Sequence, residues 1–191
     1  YTYDQYKNPL TVNTIYPGGT STNTYRYYNN PSAFDQNYHI GRMHTSASSN
    51  TMYGNTRSAS QEYVYNSKNL PSHIKNKGHN TNWITESLQY DEYGNVIERV
   101  LSGSDFSSRK VSFEYFTGGR FLEKSVDIEG LETSFEYYPN TGNVKTITNP
   151  YNQKTTYTYD GWNRVKTVTD YLNKVTNTVY TKESGNYFMS I

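Results

Sequence analysis

There is no cysteine in this chain of 191 residues. Disulfides, thiol catalysis and cysteine-held metal are therefore excluded, while the redox compartment stays undecided. Alanine is nearly absent too, at Ala33, Ala47 and Ala59 only. Leu, Ile, Val and Phe together number 33, about 17% of the chain and below the ~20% under which highly charged chains are disordered. The charge that should accompany disorder is missing, because the formal net charge is +1 and 16% of residues are aromatic, 22 of them Tyr. Scarce Ala and Leu argue against helices, while abundant Thr, Tyr and Val favour strands. The composition leaves an all-β chain, expected to have a tyrosine-rich core. No window approaches 18 consecutive apolar residues, so no membrane-spanning helix and no membrane insertion by this segment are expected. There is no signal peptide and Tyr1 stands where Met would begin a gene product, so the chain is expected to be processed, recombinant or excised. The absence of any Asn-x-Ser/Thr sequon speaks against a eukaryotic secreted glycoprotein.

Charge is spread unevenly. Residues 1–80 carry seven Lys/Arg against Asp4, Asp35 and Glu62, whereas residues 81–191 carry eleven against fourteen acids. This asymmetry is far from the basic footprint of a nucleic-acid binder, and no nucleic-acid partner is expected.

What the chain has is a repeat. Val111-Ser112-Phe113-Glu114-Tyr115, Thr133-Ser134-Phe135-Glu136-Tyr137 and Thr155-Thr156-Tyr157-Thr158-Tyr159 align at an offset of 22. Ser87 to Asp91 lies one register upstream and Thr176 to Tyr180 one downstream. After each Tyr comes a turn and then a second short strand, at Gly94-Asn95-Val96, Gly119-Arg120-Phe121, Gly142-Asn143-Val144 and Asn163-Arg164-Val165. A second turn closes the unit at Asp127 to Gly130, Asn149 to Asn152 and Asp170 to Asn173. Each unit reads strand, turn, strand, turn. Period-2 alternation puts Phe113 and Tyr115 on one face and Ser112 and Glu114 on the other. One hairpin cannot bury such a face alone, so neighbouring units must share it. Tyr suits the shared position because its ring is apolar and its hydroxyl finds a polar partner. In the turns, Asp160 is expected to bond its own backbone two residues on, and Asn163 to take the positive φ that Gly94 takes in the sister unit.

The first ninety residues repeat less cleanly. Tyr1-Thr2-Tyr3-Asp4-Gln5-Tyr6-Lys7-Asn8 is the same element with Lys7 where Gly is expected, and Tyr25 to Tyr28 and Gln61 to Asn66 are further candidates. The intervening stretch from Asn29 to Asn55 reads as either a longer hairpin with a decorated loop or an irregular insertion. The expected organisation is thus divergent repeats over 1–86 with the irregular stretch near 29–55, four regular repeats of about 22 residues over 87–180, and a tail or next repeat over 181–191.

Tyr157-Thr158-Tyr159-Asp160-Gly161-Trp162-Asn163-Arg164-Val165 followed by Thr169-Asp170 resembles the YD repeat of Rhs proteins, whose unit reads YxYDxxGRL…TDPxG. Tyr90-Asp91-Glu92-Tyr93-Gly94-Asn95-Val96 matches the same element, and His39-Ile40-Gly41-Arg42-Met43 resembles a segment in the Rhs region of Tc-toxin B-component and SpvB-type bacterial proteins. The resemblance implies consecutive antiparallel hairpins forming part of a spiral β-shell. It also implies a non-catalytic role, enclosing or presenting a toxic C-terminal effector polypeptide, in a secreted or cell-surface setting. The expected partners are that effector or the remaining shell. Teneurins and bacterial wall-associated proteins use a similar barrel in adhesion, so the rival reading is an adhesive or glycan-binding module. The chain is too short to close a shell and lacks the core-terminating segment and an effector after Ile191, so a fragment of the wall is expected. The structural repeat positions carried over are Tyr3, Asp4, Tyr90, Asp91, Gly94, Tyr115, Gly119, Arg120, Tyr137, Gly142, Tyr159, Asp160 and Arg164. Arg120 and Arg164 are expected to hold their turns.

Active-site signals are poor. His39, His44, His73 and His79 lack HExxH spacing and cysteine partners, so they read as exposed loop histidines and no metal or cofactor is expected. Carboxylate pairs Asp127/Glu129 and Asp91/Glu92 fall in turns, and no Gly-x-Ser-x-Gly elbow exists, so no catalytic residue is assigned. Gly18-Gly19 and Gly118-Gly119 lack the Lys-Ser/Thr of a phosphate loop and suit hairpin turns. Trp162 is the best binding candidate, because it lies in a turn without an obvious ladder neighbour. An open array also leaves unpaired edges, so residues near Tyr1 and Ile191 are expected to pair with another chain or with further sequence.

Overall fold

A computed structural model describes residues 1–33, 37–183 and 186–190. It consists of strands and turns, with no helix among the described residues. The strands are β1 (Thr2–Tyr3), β2 (Pro9–Tyr16), β3 (Gly19–Asn30), β4 (His39–Met52), β5 (Asn55–Tyr65), β6 (Pro71–Lys77), β7 (Ile84–Tyr90), β8 (Val96–Gly103) and β9 (Phe106–Tyr115). They continue as β10 (Leu122–Val126), β11 (Glu132–Tyr137), β12 (Val144–Thr148), β13 (Lys154–Tyr159), β14 (Val165–Thr169) and β15 (Val175–Asn177), then β16 (Val179–Glu183) and β17 (Asn186–Ser190). β1 to β15 follow one another across a sheet in chain order, and β16 pairs with β17 in a separate hairpin. This is an antiparallel meander, the simplest outcome of a strand–turn repeat.

Two compact units divide the chain, residues Tyr1–Lys110 and Val111–Ile191. The expected change at residue 86 is no structural boundary, because His73↔Ser87 and Ile74↔Glu86 pair β6 with β7 across it. In the first unit the described residues of the stretch from 29 to 55 are mostly strand. They include the 14 of β4, paired with β3 from His39 to Met52 and with β5 from Thr45 to Met52; residues 34–36, where a decorated loop would lie, are outside the described residues. In the second unit the last repeat stops early. β15 ends at Asn177, the Thr178 amide donates to the Lys166 carbonyl at 2.8 Å, and Val179 starts the separate hairpin.

No tyrosine-rich core forms among the described residues. No hydrophobic side chain is fully buried among the described residues, and the single buried residue is Thr146 at 4% exposure. A sheet needs a second layer to bury a face, and neither unit has one. The chain exposes 13289 Å², against about 9,300 Å² for a compact protein of this mass.

The two faces of the second unit nonetheless differ as the alternation requires. Phe135 pairs with Ile147, which pairs with Thr155, and Tyr157 pairs with Val168, all half-buried on one face. The other face carries Glu114, Lys124, Glu132 and Glu136, with Lys124 Nζ at 3.0 Å from Glu114 and 3.5 Å from Glu132. Such exposed pairs add at most about 1 kcal/mol each, so they solubilise this face more than they stabilise it.

Candidate functional site

The residues that the sequence repeats are those that hold the sheet's turns and seams. In seven turns one Asx side chain accepts two backbone amides through its Oδ1, from the residues two and four positions on. The acceptors are Asp4, Asn66, Asp91, Asp127, Asn149, Asp160 and Asp170, with distances of 2.8 to 3.0 Å. The residue three positions after each Asx has positive φ: Lys7, Asn69, Gly94, Gly130, Asn152, Asn163 and Asn173. Asn163 at φ 60° and Gly94 at φ 89° are the sister positions expected from sequence. Gly and Asn are favoured there because other side chains crowd the backbone in this conformation.

The residue four positions after the Asx often completes the clamp. Asn8, Asn95 and Arg164 each donate to the Oδ2 of Asp4, Asp91 and Asp160 at 2.8 to 2.9 Å. Arg164 also places Nη2 2.7 Å from Asp160 Oδ2 and its guanidinium 4.1 Å over the Tyr180 ring. It therefore holds its turn. Arg120 differs, because Phe116 occupies the Asx position and the guanidinium lies 4.8 Å over the Phe121 ring. The turns at 116–121 and 138–143 are one residue longer, closed by Phe116 N to Phe121 O and Tyr138 N to Asn143 O, with Gly118, Gly119 and Gly142 at positive φ.

These bonds act on the carboxylates. Backbone donation from Arg164 holds the Asp160 carboxyl below its usual range, aided by the Arg164 side chain and the Trp162 amide and opposed by desolvation. Desolvation pushes Asp91 and Asp4 up, but donation from Asn95 and Tyr93, and from Asn8 and Tyr6, outweighs it and lowers both.

The tyrosines work between hairpins. Strands joined at one end of the sheet must part at the other, where each enters a different turn. There the ladder stops, and a residue beyond it has no ladder partner on the strand that departs. The last pairs are Thr11↔Thr24, Thr45↔Glu62, His73↔Ser87 and Thr146↔Thr156. In all four cases the Tyr three residues beyond the pair donates its hydroxyl to the carbonyl two residues before it. The bonds run from Tyr27 to Pro9, Tyr65 to Met43, Tyr90 to Pro71 and Tyr159 to Val144, at 2.9, 2.8, 2.6 and 2.8 Å. Tyr137 and Tyr180 occupy the equivalent positions after Lys124↔Ser134 and Thr167↔Asn177. Tyr137 stacks on Phe121 at 4.8 Å and Tyr180 lies under Arg164. Burial raises the hydroxyl pKa of Tyr27, Tyr65, Tyr90, Tyr137 and Tyr159.

The Tyr-Asp pair thus has a physical meaning. Asp closes the turn within one hairpin, and the preceding Tyr ties the hairpin to its neighbour. Tyr90-Asp91 and Tyr159-Asp160 do both. Tyr3 is exposed and stacks on Tyr1 at 6.3 Å, while Tyr115 at the end of β9 pairs with Leu122. Sequence reasoning missed Tyr27 and Tyr65 as seam residues, because the signal lies in where the ladder stops. It also missed Asn66, although Asn66-Ser67-Lys68-Asn69 has the Asx and positive-φ spacing of its sister turns.

Chemistry-bearing residues are scattered. His39 and His44 lie on β4 and not in an exposed loop: His39 Nε2 is 2.9 Å from Arg42 Nη2, and His44 stacks on Tyr28 at 4.2 Å. His73 lies on β6 beside Ser72, and His79 accepts the Ser58 amide at 3.3 Å. No cluster of three or more metal-capable side chains exists among the described residues. Asp91 and Asp127 are occupied with turn amides. Gly18, Gly118 and Gly119 take positive φ in turns. Trp162 is 83% exposed at a turn tip. Its turn borders a groove of about 320 Å³ lined by Asn140, Thr141, Asn143 and Asn163. A broader trough of about 440 Å³ crosses β3 to β7, floored by Ser46, Ser48, Ala59 and Ser60.

Comparison with known proteins gives three findings. Residues 138–170 match the RHS Repeat family. No curated protein sequence matches the chain. Among solved structures, the chain is similar to the crystal structure of TcdB2-TccC3, with a TM-score of 0.59 at 11% identity over 89% of this chain. It is also similar to TcdB2-TccC3 without its hypervariable C-terminal region, with a TM-score of 0.57 at 13% identity over 95% of this chain. The likeness at this identity is one of fold. The chain spans 11% and 12% of the length of those structures.

Proposed function

We propose that this chain, an Rhs-repeat chain with the fold of a Tc-toxin shell segment, is a piece of non-catalytic wall that encloses or presents a toxic effector polypeptide in a secreted or cell-surface bacterial protein. The observation that carries the reading is the coreless sheet. The chemistry of its repeated residues is spent on turns and seams, and both faces are left open. Such a sheet can separate two compartments, and neighbours that cover its faces add to its stability. Containment follows from continuity: a wall without gaps keeps an unfolded polypeptide from solvent and proteases, with many weak contacts and no specific pocket.

The test uses the natural polypeptide that carries this segment together with its downstream region. Limited proteolysis should leave the downstream region intact in the wild type. Deleting residues 87–180 should make it as sensitive as the isolated region. Equal sensitivity with and without the wall contradicts containment.

A second reading is supported by Trp162. Its exposed ring, on a turn whose Asp160 and Asn163 line the amide-bearing groove, has the chemistry of a sugar platform. Glycan-array binding that disappears in Trp162→Ala favours an adhesive module, and an array without binding removes that reading.

A further inference from the structure

The turn tips at one end of the second unit are apolar without a local reason. The turns at 127–131, 149–153 and 170–174 join β10 to β11, β12 to β13 and β14 to β15. Their two central positions are Ile128 and Glu129, Pro150 and Tyr151, and Tyr171 and Leu172. An Asx-closed turn accepts almost any residue there and favours polar ones at an exposed tip. Yet Ile128 is 54% exposed, Tyr151 77%, Tyr171 53% and Leu172 69%, flanked by Leu131 at 38% and Val175 at 51%. At the opposite end of the same unit, the turns carry Thr117-Gly118, Pro139-Asn140 and Gly161-Trp162.

We infer that this end of the sheet is a self-complementary interface on which a second copy of the chain docks, tip to tip. Three observations select that occupant. Successive tips are two strands apart, about 9.5 Å, so Tyr151 lies midway between the 127–131 and 170–174 turns. A two-fold axis through Tyr151 therefore sets each outer turn of one copy against the other outer turn of its partner. Charge agrees with that register, because it brings Glu129 of one copy to Lys174 of the other. Neither forms an ion pair within the chain among the described residues. The area also suffices. Covered completely, the exposed parts of these six residues amount to roughly 700 Å² per copy, of the order of the ~800 Å² per partner of a standard interface. Backbone amides at the tips are already held by Asp127, Asn149 and Asp170, so contact strands no orphan donor. The inference does not rest on the shell reading, which survives if this one fails.

Sedimentation velocity across about 1–100 µM, the span of moderate affinities, tests it on the chain itself. The wild type should pass from monomer to dimer. Tyr151→Ser, at an exposed tip that folding does not need, should weaken the dimer by about 30-fold or more as a central contact residue. Glu129→Lys and Lys174→Glu should each weaken it by about 2–5-fold, and the double exchange should restore it. Overturning results are a monomer throughout, a dimer that survives Tyr151→Ser (as pairing through the free edge of β15 gives), or a double exchange no stronger than the singles. Circular dichroism on each variant separates loss of contact from loss of fold.

Discussion

Changing Tyr159 to Phe removes one oxygen and leaves the ring in place, which isolates the seam bond from the packing. The Tyr159 hydroxyl donates to the Val144 carbonyl at 2.8 Å, where the β12–β13 ladder has already ended at Thr146↔Thr156. Without it that carbonyl has no donor from β13, and water must substitute. A neutral hydrogen bond contributes about 0.5–1.5 kcal/mol net. Because the site is only half-buried, water repairs part of the loss, and the expected cost is about 1 kcal/mol. For a chain of this length that lowers the midpoint of thermal unfolding by about 2–4 °C. Tyr157→Phe is the control, since Tyr157 lies on the same strand and face and its hydroxyl bonds nothing among the described residues. Urea unfolding followed by far-UV circular dichroism should separate the two variants by at least about 0.5 kcal/mol. Tyr90→Phe, which loses the 2.6 Å bond to Pro71 in the first unit, should match Tyr159→Phe. Equal stability of Tyr159→Phe and Tyr157→Phe refutes the seam role and reduces the repeated tyrosines to surface rings.

Lys7 holds φ 69° where its sister turns use Gly or Asn. Relief of that strain, offset by glycine's greater unfolded freedom, should make Lys7→Gly about 0.5–1 kcal/mol more stable in the same urea assay. Gly142→Ala should destabilise by about 2 kcal/mol or more, because φ is +73° and the new Cβ would stand 2.6 Å from Phe121 Cζ; a neutral result contradicts the stacking of Phe121 on Tyr137. Acid should open turns selectively. The turn amides hold the Asp4, Asp91 and Asp160 carboxyls below the ordinary carboxylate value. Their contribution is present above that value and is lost as pH falls through the lowered folded pKa. Hydrogen exchange should therefore show protection of the Arg164 amide falling between pH 7 and pH 2, while the Gln153 amide, held by the uncharged Asn149, keeps its own.

The periodicity, the strand–turn order and the Asx turns were legible in the sequence because each is a local property. Asp160, Asn163 and Gly94 do what five residues of context require of them. The tyrosine-rich core was not, since composition cannot say whether an apolar face finds a second layer. Here it finds none, so Phe135, Ile147 and Tyr157 stay half-exposed. The seam role of Tyr27 and Tyr65 was hidden for a related reason: it depends on where two strands part, a fact about pairing that neither strand's sequence contains. The 29–55 stretch misled because Ser and Asn, weak strand formers, fill a strand that β3 and β5 hold on both sides.

A wall has an inside and an outside, and adjacent residues of one strand must see different compartments. With no native cysteine in this segment, Thr155→Cys and Thr156→Cys place single thiols on opposite faces of β13. In the natural polypeptide carrying the segment, maleimide labelling is compared with labelling of the isolated chain. One thiol should be shielded by at least tenfold and the other should react as in the isolated chain; equal labelling of both contradicts a wall that encloses anything.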